Sequence, residues 1–166
     1  MVDTKTWTEA EIRSLLHEVK DPEIPVISLE ELGVLRKVDI DPDGVLITIT
    51  PTYSGCPAMS EMEADIKRVL AENAVPNVRV KTVLSPAWTT DWIPEEARER
   101  LREYGIHPPA DASVDKAALL GKVRQLKCPN CGSDNTMMKS QFGSTACKAL
   151  FVCQDCLEPF DYFKCI

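Results

Sequence analysis

Four cysteines near the C-terminus are arranged as two Cys-x-x-Cys pairs, Cys128/Cys131 and Cys153/Cys156. The first reads Cys128-Pro129-Asn130-Cys131-Gly132. Proline starts a tight turn, and glycine lets the backbone fold back so that its N–H groups point at the sulfurs. Two such turns brought together give four thiolates in a tetrahedron, an arrangement that suits Zn²⁺. The stretch between the pairs is slightly longer than the ~15–20 residues usual for such sites, and a long hairpin accommodates the difference. Four protein ligands close the coordination shell, which implies a structural rather than a hydrolytic metal. The same donors also suit iron, in a rubredoxin-like centre or a cluster.

The remaining three quarters of the chain must be read separately. With 166 residues, 44% of them apolar, the chain is long enough for a globular body with its own core. Its net charge of −7 is unevenly spread. Residues 122–166 hold six Lys/Arg and four Asp/Glu, whereas residues 1–121 hold thirteen and twenty-two. An acidic body argues against nucleic acid as a partner. No run approaches the ~18 apolar residues of a membrane span. The N-terminus is polar and acidic where a leader would be apolar. Seven cysteines, four of them in metal-type pairs, fit a reducing cytoplasm better than a disulfide scaffold.

Thr8-Glu9-Ala10-Glu11 reads as a capping box, and Ile12, Leu15, Leu16 and Val19 then follow on one helical face. Asp21-Pro22 should end that helix. Residues 21–33 read as a loop with one helical turn. Val34 to Ile40 and Val45 to Thr50 read as strands joined by the turn Asp41-Pro42-Asp43-Gly44, with Val45, Ile47 and Ile49 on one face. A helix is expected from Pro57 to about Asn73, and a third strand from Val78 to Leu84. After a loop with Trp88 and Trp92, a charged helix should run from Pro94 to Tyr104, with Gly105 as its cap. The expected organisation is an α+β domain over residues 1–104, with helices packed on a small three-stranded sheet. A linker over 105–121 and a small zinc-ribbon module over 122–166 complete it.

Outside the two pairs, Cys56 is the most informative cysteine. It lies just before Pro57 at the start of a helix, where the dipole and free N–H groups should lower a thiol pKa. Asp21 and Glu23 share a proline-rich loop, with Glu30 and Glu31 close by. A carboxylate near Cys56 would raise its pKa unless a metal stood between them. Cys147 and Cys165 flank the second pair, either as spare thiols or as extra ligands. His17 reads as a boundary residue of the first helix, and nothing near His107 suggests a ligand set. Trp88 and Trp92 suit a core or a partner surface equally well.

Two runs carry a resemblance to a known family. Asp21-Pro22-Glu23-Ile24-Pro25-Val26-Ile27-Ser28-Leu29-Glu30-Glu31-Leu32-Gly33 and Thr50-Pro51-Thr52-Tyr53-Ser54-Gly55-Cys56-Pro57-Ala58 resemble the two signature loops of the SufT-like domain of iron–sulfur assembly proteins. Three further runs, Ser85 to Ile93, Phe142 to Leu150 and Cys156 to Ile166, resemble the PaaD family, accessory proteins of the bacterial phenylacetyl-CoA ring-1,2-epoxidase system. The resemblance implies a non-enzymatic maturation factor for phenylacetate catabolism. It would help load the 2Fe–2S cluster of the epoxidase reductase component, with the diiron oxygenase subunit as second candidate client. Cys56 would face the transfer site, Asp21 and Glu23 would shape its loop, and an iron–sulfur cluster would be a transient passenger. Cys128, Cys131, Cys153 and Cys156 would hold structural zinc. A homodimer is compatible with this. The alternatives are an iron-binding electron-transfer protein and a structural subunit of the epoxidase complex.

Overall fold

The computed structural model describes residues 6–109 and 126–164. Its elements run α1 (Glu9–Leu16), β1 (Leu35–Asp41), β2 (Gly44–Ile49), α2 (Met59–Glu72), β3 (Val78–Thr82), α3 (Glu95–Glu103), β4 (Ile106–His107), β5 (Thr136–Ser140), β6 (Lys148–Cys153) and β7 (Pro159–Phe163). They fall into two compact units, one ending at Trp88 and the other beginning at Thr89. No helix among the described residues is long and apolar enough to cross a membrane.

The first unit is built on a three-stranded sheet ordered β1-β2-β3. β1 and β2 pair antiparallel through the expected turn, where the Asp43 N–H donates to the Asp41 carboxylate at 2.9 Å. β2 and β3 pair parallel, with α2 between them in sequence. Val45, Ile47 and Ile49 are buried as their alternation requires, and β3 puts Val78 and Val80 beside Val45 and Ile47. Ile12 and Leu16 of α1 join Met62, Ile66 and Leu70 of α2 in this core. Each such side chain contributes roughly 1.5–3 kcal/mol by leaving water. Trp88 belongs here too: it is buried, and its indole N–H donates to the Leu32 carbonyl at 2.9 Å.

α1 keeps its capping box but stops earlier than Asp21-Pro22 suggested. Its last residue is Leu16, with His17 as C-cap. The reason is tertiary. The backbone of residues 19–21 turns to pair with residues 27–29, through Asp21 N–H to Ile27 O at 3.0 Å and Leu29 N–H to Val19 O at 3.0 Å. The expected helical turn follows, held by reciprocal bonds between Ser28 and Glu31. α2 also starts two residues later than expected, at Met59.

The second unit is a four-stranded sheet ordered β4-β7-β6-β5. Leu126, Ala149, Phe151, Phe160 and Tyr162 form its core, with the Phe151 ring 5.8 Å from Phe160 and 5.9 Å from Tyr162. Two features differ from the sequence reading. Residues 106–107, expected in a linker, form β4 and pair parallel with β7. α3, expected in the first domain, groups with the second unit instead. The β4–β7 pairing explains the second point by tying the segment after α3 to this sheet, and the Arg98 guanidinium donates to the carbonyls of Thr90, Ile93 and Pro109 at 2.7, 3.1 and 2.7 Å, binding both flanks of α3 together. Residues 110–121 of the expected linker, residues 122–125 of the expected ribbon and Cys165 lie outside the described residues.

Candidate functional site

The second unit brings the two cysteine pairs together. Cys128 and Cys131 lie just before β5, Cys153 ends β6, and Cys156 lies in the turn to β7. The four sulfurs lie within 4.8 Å of one another, and this is the one such group among the described residues. The Cys128 and Cys156 sulfurs are 3.7 Å apart, and those of Cys131 and Cys153 are 3.5 Å apart. These separations are too long for disulfides, whose S–S bond is about 2.05 Å. They match the edges of a tetrahedron with metal–sulfur bonds of ~2.3 Å, which are about 3.8 Å long. All four sequence-predicted ligands therefore fit a single metal ion.

The knuckle backbone is shaped for that ligand set. The Cys128 carbonyl accepts the Gly132 N–H at 2.9 Å, and Gly132 takes a φ of +76° that side chains disfavour. The thiols are electrostatically uneven. Cys153 is lowered to about 7, first by the backbone N–H of Cys156, with the Asp155 N–H and bonds from the Cys131 and Cys156 thiols adding to it. For Cys131 the Ser133 N–H pulls downward, but hydrogen bonds to Cys153, Cys156 and Cys128, together with partial desolvation by its neighbours, push it up to about 12. Without a cation the set therefore shares protons, because four adjacent thiolates repel one another. A dication removes that conflict, which is the chemical fit of this donor set to a metal.

Cys147 is not in this set. It is half-buried, and its sulfur lies 3.0 Å from the Thr145 hydroxyl. His107 has Nδ1 2.8 Å from the Pro108 carbonyl and its ring 5.7 Å from Tyr162, which is a packing role. His17 is largely exposed, 3.8 Å from Glu30, while Glu30 itself pairs with Arg13 at 2.9 Å.

In the first unit, Cys56 sits half-buried in the loop before α2, preceded by Gly55 with a φ of +87°. A Cβ at Gly55 would meet nothing within 4 Å, so glycine is needed there for its backbone conformation and not for lack of space. The thiol pKa is raised, which corrects the expectation of an activated thiolate. Burial is the largest cause. The Ala58 N–H and the Tyr53 hydroxyl oppose it, and the charges of Asp21 and Glu23 add to it. The position at a helix start does lower the pKa through the Ala58 N–H, but desolvation outweighs that bond. Asp21 is buried, and its Oδ1 accepts the N–H groups of Glu23 and Ile24, each at 2.9 Å. Glu23 is exposed. Both carboxylates act on Cys56 through charge, yet the three do not gather into a ligand group of their own.

The sequence reading missed Tyr53, three residues before Cys56, and the polar residues Ser133, Asn135 and Asp155 between and inside the knuckles. Only their closeness to the cysteines signalled them.

Comparison with known proteins follows the same division. Residues 9–85 match the model of an iron–sulfur cluster assembly protein, and residues 112–164 match the PaaD zinc beta ribbon domain. An Escherichia coli protein, provisionally named as one of the subunits of 1,2-phenylacetyl-CoA epoxidase, is 52% identical over 94% of this chain and 92% of its own length. An Fe-S protein maturation auxiliary factor of Porphyromonas gingivalis is 37% identical over 54% of this chain and 87% of its own. A crystal structure of a DUF59 domain of unknown function from Bacillus anthracis overlays with a TM-score of 0.53 at 30% identity, covering 56% of this chain and 90% of that one. With an assembly domain followed by a four-cysteine ribbon, and a relative that matches it almost end to end, the chain belongs to the PaaD family.

Proposed function

We propose that this protein is a non-enzymatic maturation factor of the phenylacetyl-CoA epoxidase system, and that it helps load the 2Fe–2S cluster of the reductase component. The diiron oxygenase subunit is the alternative client. The observation that carries the reading is the contrast between the two cysteine sites. The ribbon holds four sulfurs in a closed set, suited to structural zinc. The assembly domain instead presents Cys56 beside two carboxylates that do not complete a ligand set with it. A cluster held there needs ligands from a second molecule, which suits a passenger in transit between proteins. Asp21 and Glu23 disfavour the bare thiolate but attract a cation. Cys56 therefore rests protonated and releases its proton when the cargo arrives. The names of the relatives, an epoxidase subunit and a maturation factor, support this placement.

Cys56→Ser tests it. The variant should fold and keep its ribbon metal, while a reductase co-produced with it should carry several-fold less iron and sulfide. A fully loaded reductase would end the Cys56 mechanism. Metal analysis separates the electron-transfer alternative: about one zinc per chain without iron supports the structural ribbon, and a coloured, redox-active iron ribbon supports electron transfer.

A further inference from the structure

We propose that the Asp155 carboxylate clasps the two cysteine knuckles together and sets how firmly the ribbon metal is retained. This goes beyond the maturation role and rests only on the four cysteines holding a metal.

Ser133 is the hub on the first knuckle. Its carbonyl accepts the Cys128 N–H at 2.8 Å, and its own N–H donates to the Cys131 sulfur. Asp155 is its counterpart inside the second pair, with its backbone N–H donating to the Cys153 sulfur. The Ser133 hydroxyl donates to one Asp155 carboxylate oxygen, and Asn135 Nδ2 donates to the other at 2.8 Å. The Asn135 N–H returns to the Ser133 hydroxyl oxygen at 3.0 Å. The carboxylate thus joins two residues that each hold one sulfur of the Cys131/Cys153 pair, whose atoms are 3.5 Å apart. An exposed aspartate in a turn ordinarily satisfies only its own turn. This one reaches across to a residue 22 positions away whose N–H donates to a sulfur of the other pair.

Retention matters because the set is open on one side. Cys128 and Cys153 are buried, but Cys131 is exposed. A chelator or competing thiol reaches the metal from the Cys131 side. Departure requires the Cys131 sulfur to swing away from Cys153, and the clasp resists that motion by fixing Ser133. Asp155 is a positioning residue: it holds the N–H donors that orient the sulfurs and does not itself ligate. Partners of this kind typically change metal affinity by about 10- to 100-fold.

The test is zinc release from the purified full-length protein into excess chromophoric chelator. Asp155→Ala and Ser133→Ala should each speed release about 10- to 100-fold. The double variant should release zinc more slowly than the product of the two single effects predicts, because both changes remove the shared Ser133–Asp155 bond. Asp155→Asn keeps an acceptor oxygen and should fall between wild type and Asp155→Ala. The cobalt-substituted proteins should all show the same tetrahedral thiolate absorption, since no ligand is lost. If Asp155→Ala does not fold, Ser133→Ala carries the test alone. Release at the wild-type rate in the single variants, or multiplicative rates in the double, would overturn the clasp. So would loss of the tetrahedral cobalt spectrum, which would mark a general folding role. A protein that takes up no metal would overturn the proposal together with the metal reading, but would leave the Cys56 loading result untouched.

Discussion

Cys56 shows how one residue's chemistry depends on groups its sequence position does not reveal. Its place before α2 is legible in Gly55-Cys56-Pro57, and it does bring the Ala58 N–H to the sulfur. Burial and the charges of Asp21 and Glu23, more than thirty positions earlier, reverse the direction of the shift. Deprotonation is therefore deferred to higher pH. Any stability tied to the protonated thiol is complete below its ordinary pKa and falls as pH rises through the raised folded-state value. Glu23→Gln removes one repelling charge, so the alkylation midpoint of Cys56, followed by peptide mass spectrometry, should move to lower pH. An unchanged midpoint would mean the Glu23 charge does not reach the thiol. Asp21→Asn separates charge from scaffold, because an amide oxygen can still accept from Glu23 and Ile24. Asp21→Ala leaves those two N–H groups without their acceptor and should destabilise the first unit by about 1–3 kcal/mol, measured by urea unfolding.

Individual elements were legible where their signals are local. Thr8 and Glu11 cap α1 as a box, with Thr8 N–H to Glu11 at 2.9 Å and Glu11 N–H to Thr8 at 3.3 Å. Thr8→Ala should cost about 1 kcal/mol, seen as a lower thermal midpoint of the first unit. The β1–β2 hairpin was equally readable, because a turn and two alternating strands lie within one short stretch. The end of α1 was not, since pairing of residues 19–21 with 27–29 decides it. β4 is the clearest omission. Two residues have no periodicity, and Ile106 and His107 become a strand only because β7 offers Asp161 and Tyr162 as partners. Arg98 holds the flanks of that segment through three carbonyls. Arg98→Ala should cost roughly 1–3 kcal/mol and raise hydrogen exchange at Ile106 and His107. Arg98→Lys should not restore it, because a single ammonium lacks the guanidinium fork.

At the scale of the whole molecule, the division into units predicts what metal removal does. Metal binding and folding are coupled in small cysteine modules, where zinc contributes about 10–16 kcal/mol. β4 belongs to the sheet that carries the knuckles, and the last turn of α3 shares with Pro129 and Asn130 the walls of a cleft of about 330 Å³. Chelation should therefore abolish hydrogen-exchange protection in α3 and β4 along with β5, β6 and β7, while α1, α2 and the first sheet keep theirs. Loss confined to residues 126–164 would place α3 and β4 with the assembly domain instead. The two cysteine pairs, the hairpin, the capped first helix and the cysteine loop were legible in the amino-acid sequence, because spacing, turn chemistry and alternation are properties of neighbouring residues. Where α1 stops, the grouping of α3 and β4 with the unit that carries the two cysteine pairs, the upward push on the Cys56 thiol and the reach of Asp155 to Ser133 came only with the fold. Each of these depends on groups distant in the chain, and their desolvation, charge and hydrogen bonding exist only once the chain has folded.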